Sequence, residues 1–312
     1  MIEKIKSTIL DFYDKNKNWV IFIVWPTASW KTELSINLIK SGLNWEIISA
    51  DSRQIFRYMN IWTDKVSKEI RNIIPHYLID FLNPDEFYTA KDWKIDTLKY
   101  INKIRKKNKI PFIVWWTWLY TDTIYKNYSL PDAPPDFEFR KKLYTLEKEK
   151  PWILREKLNH IDPTEANKLH KNSTRYIIRA LEIYEKTWKP KSKVCFEQDV
   201  PFPILLIIKR ADKETANNKI NKRIEYMIKN WLIEEVKEIL DMWYKENCQW
   251  LQSIWYKEII PYLKWEYNLD KTKEILKRNT HRYAKKQRIF FKRYILDMKA
   301  KPKKNVKYLF IE

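Results

Sequence analysis

The stretch Asn18-Trp19-Val20-Ile21-Phe22-Ile23-Val24, followed by Trp25-Pro26-Thr27-Ala28-Ser29-Trp30-Lys31-Thr32, decides the fold. A short, continuous apolar run marks a strand buried on both faces, as in parallel sheets. From Lys31 to Lys40, Leu34, Leu38 and Ile39 recur at helical spacing, and the pattern stops at Gly42. The segment between reads G-x-x-x-x-G-K-T if positions 25 and 30 are glycine. Set between a strand and a helix, that motif is a phosphate loop. Its backbone N–H groups and the helix N-terminus surround phosphate oxygens, Lys31 adds a point charge, and the Thr32 hydroxyl is placed for Mg²⁺. Residues 25–32 are therefore the expected diphosphate-binding segment. With indoles at 25 and 30 the loop would be blocked, and Lys31-Thr32 would be a chance pair after a strand.

The condition on 25 and 30 bears on the whole chain, which has one glycine, Gly42, and 16 tryptophans. Tight turns and phosphate loops need residues that tolerate φ > 0, so an α/β protein is hard to build with a single glycine. The indoles stand where glycine chemistry belongs, in Asn18-Trp19, Asn44-Trp45, Thr187-Trp188-Lys189-Pro190 and Trp115-Trp116-Thr117-Trp118. The expectation is a gene that uses UGA as a glycine codon, translated here as tryptophan. Positions 19, 25, 30, 45, 62, 115, 116, 118, 188, 231, 243, 250, 255 and 265 would then be glycine. Trp93 and Trp152, read as lying inside amphipathic helices, would be genuine tryptophans.

Outward from the first strand, Glu46-Ile47-Ile48-Ser49-Ala50, Ile110-Pro111-Phe112-Ile113-Val114 and Pro203-Ile204-Leu205-Leu206-Ile207-Ile208 read as further strands, and 89–107 as a helix. Strands alternating with helices predict an α/β fold, a P-loop NTPase-like parallel sheet flanked by helices. Between Pro131 and Lys189 the pattern is helical only, which predicts an all-α insertion. The expected domains are 1–130 as the first part of the core, 131–189 as the insertion, and 190–312 as the core's continuation. After 203–208 the chain reads as helical, ending in a basic helix over roughly 271–299 with Lys285, Lys286, Arg288, Lys292 and Arg293.

Composition narrows the class. Apolar residues make up 45% and charged residues 32%, a globular balance. No run of about 18 uncharged apolar residues occurs, so no membrane span is expected. The N-terminus, Met1-Ile2-Glu3-Lys4-Ile5-Lys6, has no signal-peptide core. Cys195 and Cys248 lack a ligand spacing and read as reduced thiols. A cytoplasmic monomer is the expectation. The 61 Lys+Arg against 40 Asp+Glu give +21, which points to a polyanionic partner; lysine-rich codon bias is the competing explanation.

Asp51 follows the second strand on the edge where open α/β sheets bind ligands. It reads either as a carboxylate that accepts a proton or holds Mg²⁺, or as the N-cap of a short helix. The exit of the third strand, Trp115 to Tyr120, would be a glycine-rich turn that presents Thr117 at the same edge.

With tryptophan read as glycine, G-P-T-A-S-G-K-T at 25–32, Asp51-Ser52-Arg53-Gln54-Ile55-Phe56, Ile61 to Lys65 and Pro75-His76-Tyr77-Leu78-Ile79-Asp80 form an ordered series. It continues through Trp115 to Tyr120, Arg175 to Ile183, Ile254-Trp255-Tyr256-Lys257-Glu258 and Tyr283-Ala284-Lys285-Lys286-Gln287. The series spans nearly the whole chain and resembles the tRNA dimethylallyltransferase family. That resemblance implies transfer of dimethylallyl from dimethylallyl diphosphate to N6 of the adenine beside the anticodon, with Mg²⁺. By motif match Asp51 looks like the general base, 25–32 the diphosphate cradle, Thr117 a contact to base or donor, and Arg223 a second cation on the diphosphate. Asp51, Ser52, Arg53, Gln54, Thr117, Arg140, Arg175, Arg179, Gln252, Trp255, Tyr256 and Lys257 look like contacts to the tRNA anticodon stem-loop. Two departures concern RNA contact: Arg288-Ile289-Phe290-Phe291 replaces a usual Thr-Trp pair, and Lys171 a usual Pro.

Three other classes compete. A small-molecule P-loop kinase leaves the basic balance and the helical insertion unexplained. A prenyltransferase of free AMP or ADP needs neither the Arg-bearing insertion nor the basic last helix. A non-catalytic RNA-binding module leaves Asp51 without a purpose.

Overall fold

A computed structural model describes residues 2–16, 18–24, 42–115, 117–209, 212–242, 244 and 255–311. Six strands form one sheet: β1 Val20–Val24, β2 Trp45–Ala50, β3 His76–Tyr77, β4 Ile110–Trp115, β5 Ile204–Lys209 and β6 Val306–Ile311. Their order is β3-β2-β4-β1-β5-β6, and every pairing is parallel. The apolar runs are continuous because the central strands are covered on both faces. One core cluster joins Ile5, Ile9 and Phe12 of the helix Ile2–Lys15 to Ile21, Ile23, Ile47, Phe112, Leu205 and Ile207 of the sheet. Each such side chain contributes about 1.5–3 kcal/mol of burial.

The four strands read from sequence form within one or two residues of their expected ends. The reading of an all-helical C-terminal part is corrected by β6, which pairs Val306–Ile311 alongside Ile204–Lys209. That strand follows the lysine-rich Lys301-Pro302-Lys303-Lys304 and is only partly buried, so it lacks the unbroken apolar surroundings of an inner strand. The helix Ala90–Lys106 starts on a capping box: Thr89 Oγ1 accepts from Asp92 N at 3.2 Å and Asp92 Oδ2 accepts from Thr89 N at 2.9 Å. It buries Trp93, Thr97, Ile101 and Ile104, spaced along one face. The basic helix runs Leu269–Ala300. The helix expected over 31–40 lies outside the described residues.

The chain divides into two compact units, Met1–Thr121 with Pro201–Glu312, and Asp122–Val200. The second is helical, with Leu143, Leu154, Leu158, Ile177, Ile178 and Leu181 at its core. Within the first unit, Ile55, Phe56 and Met59 pack with Ile220, Ile224 and Met227 of the helix Lys213–Lys229 and with Tyr256 and Ile259. That cluster anchors the segment after β2. Among the described residues no helix is long and apolar enough to cross a membrane.

The described tryptophans include contrasting kinds. Trp188, Trp231, Trp255 and Trp265 have φ of 55°, 69°, 93° and 62°, the left-handed region that bulky residues avoid. Trp188 closes the helix Thr174–Thr187 from the position glycine usually takes. Trp152 joins them: it is not inside a helix, as its surroundings predict, but at the N-cap of Ile153–Ile161 with φ 74°. Trp45 is buried with no hydrogen-bond partner for its indole Nε1. Trp93 differs throughout. It is helical and fully buried, donates from Nε1 to the Ser49 carbonyl at 2.9 Å, and stacks on Tyr120 with centroids 5.0 Å apart.

Candidate active site

β1, β2 and β4 end side by side, with Ile23 opposite Val114 and Ala50 opposite Trp115. The carboxyl edge of the sheet therefore gathers whatever follows these three strands. Asp51, buried, comes directly after β2. Its Oδ1 accepts from Arg53 N at 2.7 Å and from Gln54 N at 3.3 Å. This is an Asx-type turn, in which a short carboxylate replaces a backbone acceptor. The N-cap reading is half right in geometry: the carboxylate caps backbone N–H groups, but turns rather than a helix follow it.

Two further bonds fix the turn. Thr117, just past β4, donates from its backbone N to the Ala50 carbonyl at 3.0 Å. Its Oγ1 accepts from Ser52 N and donates to Ser52 Oγ, both at 3.0 Å. Gln54, also buried, donates from Nε2 to the Thr63 carbonyl at 3.0 Å and accepts from Ser49 Oγ at 3.1 Å. The structure thus brings Asp51, Ser52, Arg53, Gln54 and Thr117 together, with Gln54 tied inward to the protein.

Charge converges on Asp51 from three other segments. Burial pushes the Arg53 guanidinium below its ordinary pKa, and the Asp51 carboxylate opposes that shift. Arg223, from the helix Lys213–Lys229, is lowered by burial against the pull of Asp64 and Asp51; its Nη2 donates to the Trp62 carbonyl at 3.0 Å. Tyr283, from the long basic helix, is pushed up to about 12, by burial first and by Asp51 second. Burial also raises Tyr120, with Arg53 opposing and Asp51 adding to the shift. Two guanidiniums and two phenols therefore lie in the field of Asp51, and Arg223 also faces Asp64 at 3.8 Å. Such a site can take up a proton at the carboxylate and stabilise an anion at the guanidiniums.

The other expected residues lie elsewhere. Trp25, Pro26, Thr27, Ala28, Ser29, Trp30, Lys31, Thr32 and Gln252 are outside the described residues. Trp255 is buried, and its backbone N donates to Glu258 Oε2. Tyr256 is fully buried and donates to Glu235 Oε1 at 2.8 Å, while the neighbouring Lys257 is exposed. In the helical unit Arg175 is exposed, and Arg140 and Arg179 both reach the buried carboxylate of Glu182.

The residues 54–294 match the profile of the family described as IPP transferase. The chain belongs to the IPP transferase family. Two curated relatives, both tRNA dimethylallyltransferases, agree. The one from Thermotoga neapolitana is 39% identical, covering 86% of this chain and 88% of the relative. The one from Acetivibrio thermocellus is 41% identical, covering 88% of each. Among solved structures, the tRNA delta(2)-isopentenylpyrophosphate transferase of Staphylococcus epidermidis aligns with TM-score 0.64 at 36% identity, over 94% of this chain and 93% of that one. A eukaryotic dimethylallyltransferase acting on tRNA aligns with TM-score 0.75 at 26% identity, over 94% and 74%.

Sequence reasoning gave no role to Tyr120, Tyr283, Glu182 or Glu235, although three of them sit in or beside quoted motifs. Tyr283 opens Tyr283-Ala284-Lys285-Lys286-Gln287, and Glu182 lies three residues after Arg179, the spacing of facing helical neighbours. For Glu235 no motif offers a signal.

Proposed function

We propose that this IPP transferase family member moves a dimethylallyl group from dimethylallyl diphosphate to N6 of the adenine beside the tRNA anticodon, giving N6-(dimethylallyl)adenosine. The observation that carries the reading is Asp51, buried at the carboxyl edge of a parallel sheet with Arg53 and Arg223 in its field. The exocyclic amine of adenine is a poor nucleophile because its lone pair is delocalised into the ring. Asp51 takes the amine proton as the carbon–nitrogen bond forms and the carbon–oxygen bond to diphosphate breaks. Arg223 and Lys31 balance the charge that collects on the departing diphosphate. Thr117 and Ser52, bonded to each other at 3.0 Å, fix the turn that carries Asp51, which contributes to the proximity term. An adenine in a loop can be swung out of its stack at modest cost, which suits an anticodon loop better than a duplex.

Mg²⁺ fits this edge by donor chemistry, since Asp51, Ser52 and Thr117 offer hard oxygen donors. Among the described residues no group of three or more His, Cys, Asp or Glu is gathered. An ion here would be held mainly by diphosphate oxygens and water, with Thr32, and would supply charge neutralisation on the leaving group.

The reading also sets a condition on the polypeptide: positions 25 and 30 are glycine in the native chain. The left-handed Trp152, Trp188, Trp231, Trp255 and Trp265 support recoding and extend it to position 152. Trp93, helical and satisfied, keeps its identity. The test of function uses the protein expressed with glycine at those positions, incubated with radiolabelled dimethylallyl diphosphate and tRNA, AMP or ATP. Label is expected in tRNA alone; label in AMP or ATP overturns the reading.

A further inference from the structure

Glu182 lies on the helix Thr174–Thr187, and its side chain is wholly shielded from solvent. Its two oxygens receive four donors. Arg140 gives Nε to Oε1 and Nη2 to Oε2, both at 2.7 Å, a fork-to-fork pair. Arg179 gives Nη1 to Oε2 at 2.5 Å, and the backbone N of Asp136 gives to Oε1 at 2.7 Å. Burial alone would raise the Glu182 pKa, but the bonds from Arg140, Asp136 N and Arg179 outweigh it and hold the carboxyl below its ordinary value. The carboxylate stays charged in a place where charge is costly, because two guanidiniums surround it.

The two arginines are not consumed by this. Arg140 and Arg179 keep 31% and 35% of their side-chain surface exposed. A guanidinium carries five N–H donors in a fixed plane. Arg140 spends two on Glu182 and Arg179 one, so the outer edges of both remain available. The Phe137 ring lies 5.8 Å from Arg140 Cζ and limits its tilt from another side. Arg175 is exposed one turn before Arg179 on the same helix face. Two like charges would otherwise splay apart.

We propose that Glu182 is a positioning residue for RNA binding: it locks Arg140 and Arg179 into one oriented pair whose outward N–H edges grip a tRNA phosphate. The inference rests on the reading that this chain acts on tRNA. It makes a prediction opposite in sign to simple electrostatics. Removing a negative charge beside a polyanion should tighten binding if only charge matters; removing Glu182 should weaken it if orientation matters.

The experiment compares Glu182→Gln, Arg140→Lys and Arg140→Ala in the full, glycine-restored chain, measuring tRNA KM, kcat, and the dependence of tRNA affinity on salt. Thermal melts identify any variant that fails to fold. Glu182→Gln should raise the tRNA KM roughly tenfold, the scale of one charge-assisted hydrogen bond, with kcat changing far less and the salt slope undiminished. Arg140→Lys keeps the charge but loses the fork, so it should weaken binding with the slope again unchanged. It keeps the test open if Glu182→Gln does not fold. Arg140→Ala should weaken binding and reduce the salt slope by about one phosphate contact. If Arg140→Lys and a folded Glu182→Gln bind tRNA as tightly as the parent, the positioning role is overturned. If Arg140→Ala leaves affinity and slope unchanged while label still enters tRNA, this face does not meet tRNA and the positioning role is overturned; failure of label to enter tRNA at all overturns the underlying reading instead.

Discussion

Glu235 and Glu182 are both buried carboxylates, one in each unit, and they meet burial in opposite ways. Glu235 receives neutral donors: Asn60 N at 2.8 Å and Ile61 N at 2.9 Å on Oε2, and the Tyr256 hydroxyl at 2.8 Å on Oε1. Burial wins there, and its pKa is raised despite those bonds. Glu182 is held by guanidiniums, and its pKa is lowered. In the sheet unit Glu235 is stitched by neutral groups, while Arg53 and Arg223 lie in the field of Asp51. In the helical unit the stitch and the basic surface are the same atoms. On the proposed function, the first arrangement would serve chemistry at one point and the second adhesion over an area.

The largest effect that would break this contrast lies at Asp51. Asp51→Ala should cut turnover by at least roughly a hundredfold while tRNA affinity stays near its parent value, the signature of a lost general base. Single-turnover rates with pre-bound tRNA measure this directly. Unchanged turnover would remove Asp51 from the general-base role and leave the proposed chemical difference between the units without support.

Next comes Glu235→Ala. It strands two backbone N–H groups and a hydroxyl inside the protein, so a loss of about 3 kcal/mol is expected in urea unfolding. Glu235→Gln keeps a carbonyl acceptor and should lose much less. Equal losses would mean that Glu235 works through its charge after all.

The same contrast explains what was legible in the sequence. β1, β2, β4 and β5 were readable because continuous apolar runs have one common cause, burial on both faces. Asp51 and Thr117 were readable because they follow such runs. β6 was not, since a half-buried strand after a lysine cluster lacks that pattern. Arg140 and Arg179 were visible as basic residues, but their shared anchor depends on two helices meeting, which no local spacing encodes. Glu235 was invisible for the same reason: its backbone partners are 174 and 175 residues away along the chain, and its hydroxyl partner Tyr256 lies on another helix. Trp152 misled because helical neighbours hide a cap residue whose backbone alone betrays it.

A smaller effect tests those backbones. In the chain as translated, Trp265→Gly or Trp231→Gly should raise stability by about 1 kcal/mol each, by relieving a left-handed conformation at an exposed site. Trp93→Gly should lose stability instead, by about 3 kcal/mol or more, because it empties a packed site and orphans the Ser49 carbonyl. A loss at Trp265 would count against recoding, as would a native protein whose peptides carry tryptophan at 25 and 30.

The smallest effect is a difference in pH dependence between the two glutamates. Glu182, with its folded pKa lowered, adds stability above its unfolded value, near about 4.3, and that contribution disappears as pH falls through the folded value. Glu235, with its folded pKa raised, adds stability fully present below the unfolded value and lost as pH rises through the folded one. Urea midpoints of Glu182→Gln and Glu235→Gln, each compared with the parent across the acid range, separate the two. The deficit of Glu182→Gln should shrink only on the acid side of the ordinary carboxylate range. Any deficit of Glu235→Gln should instead grow as pH falls from neutral into that range, because the parent alone gains from protonation there. Parallel profiles for the two variants would mean that the guanidiniums of Arg140 and Arg179 do not hold the Glu182 charge, and the contrast between the units would dissolve.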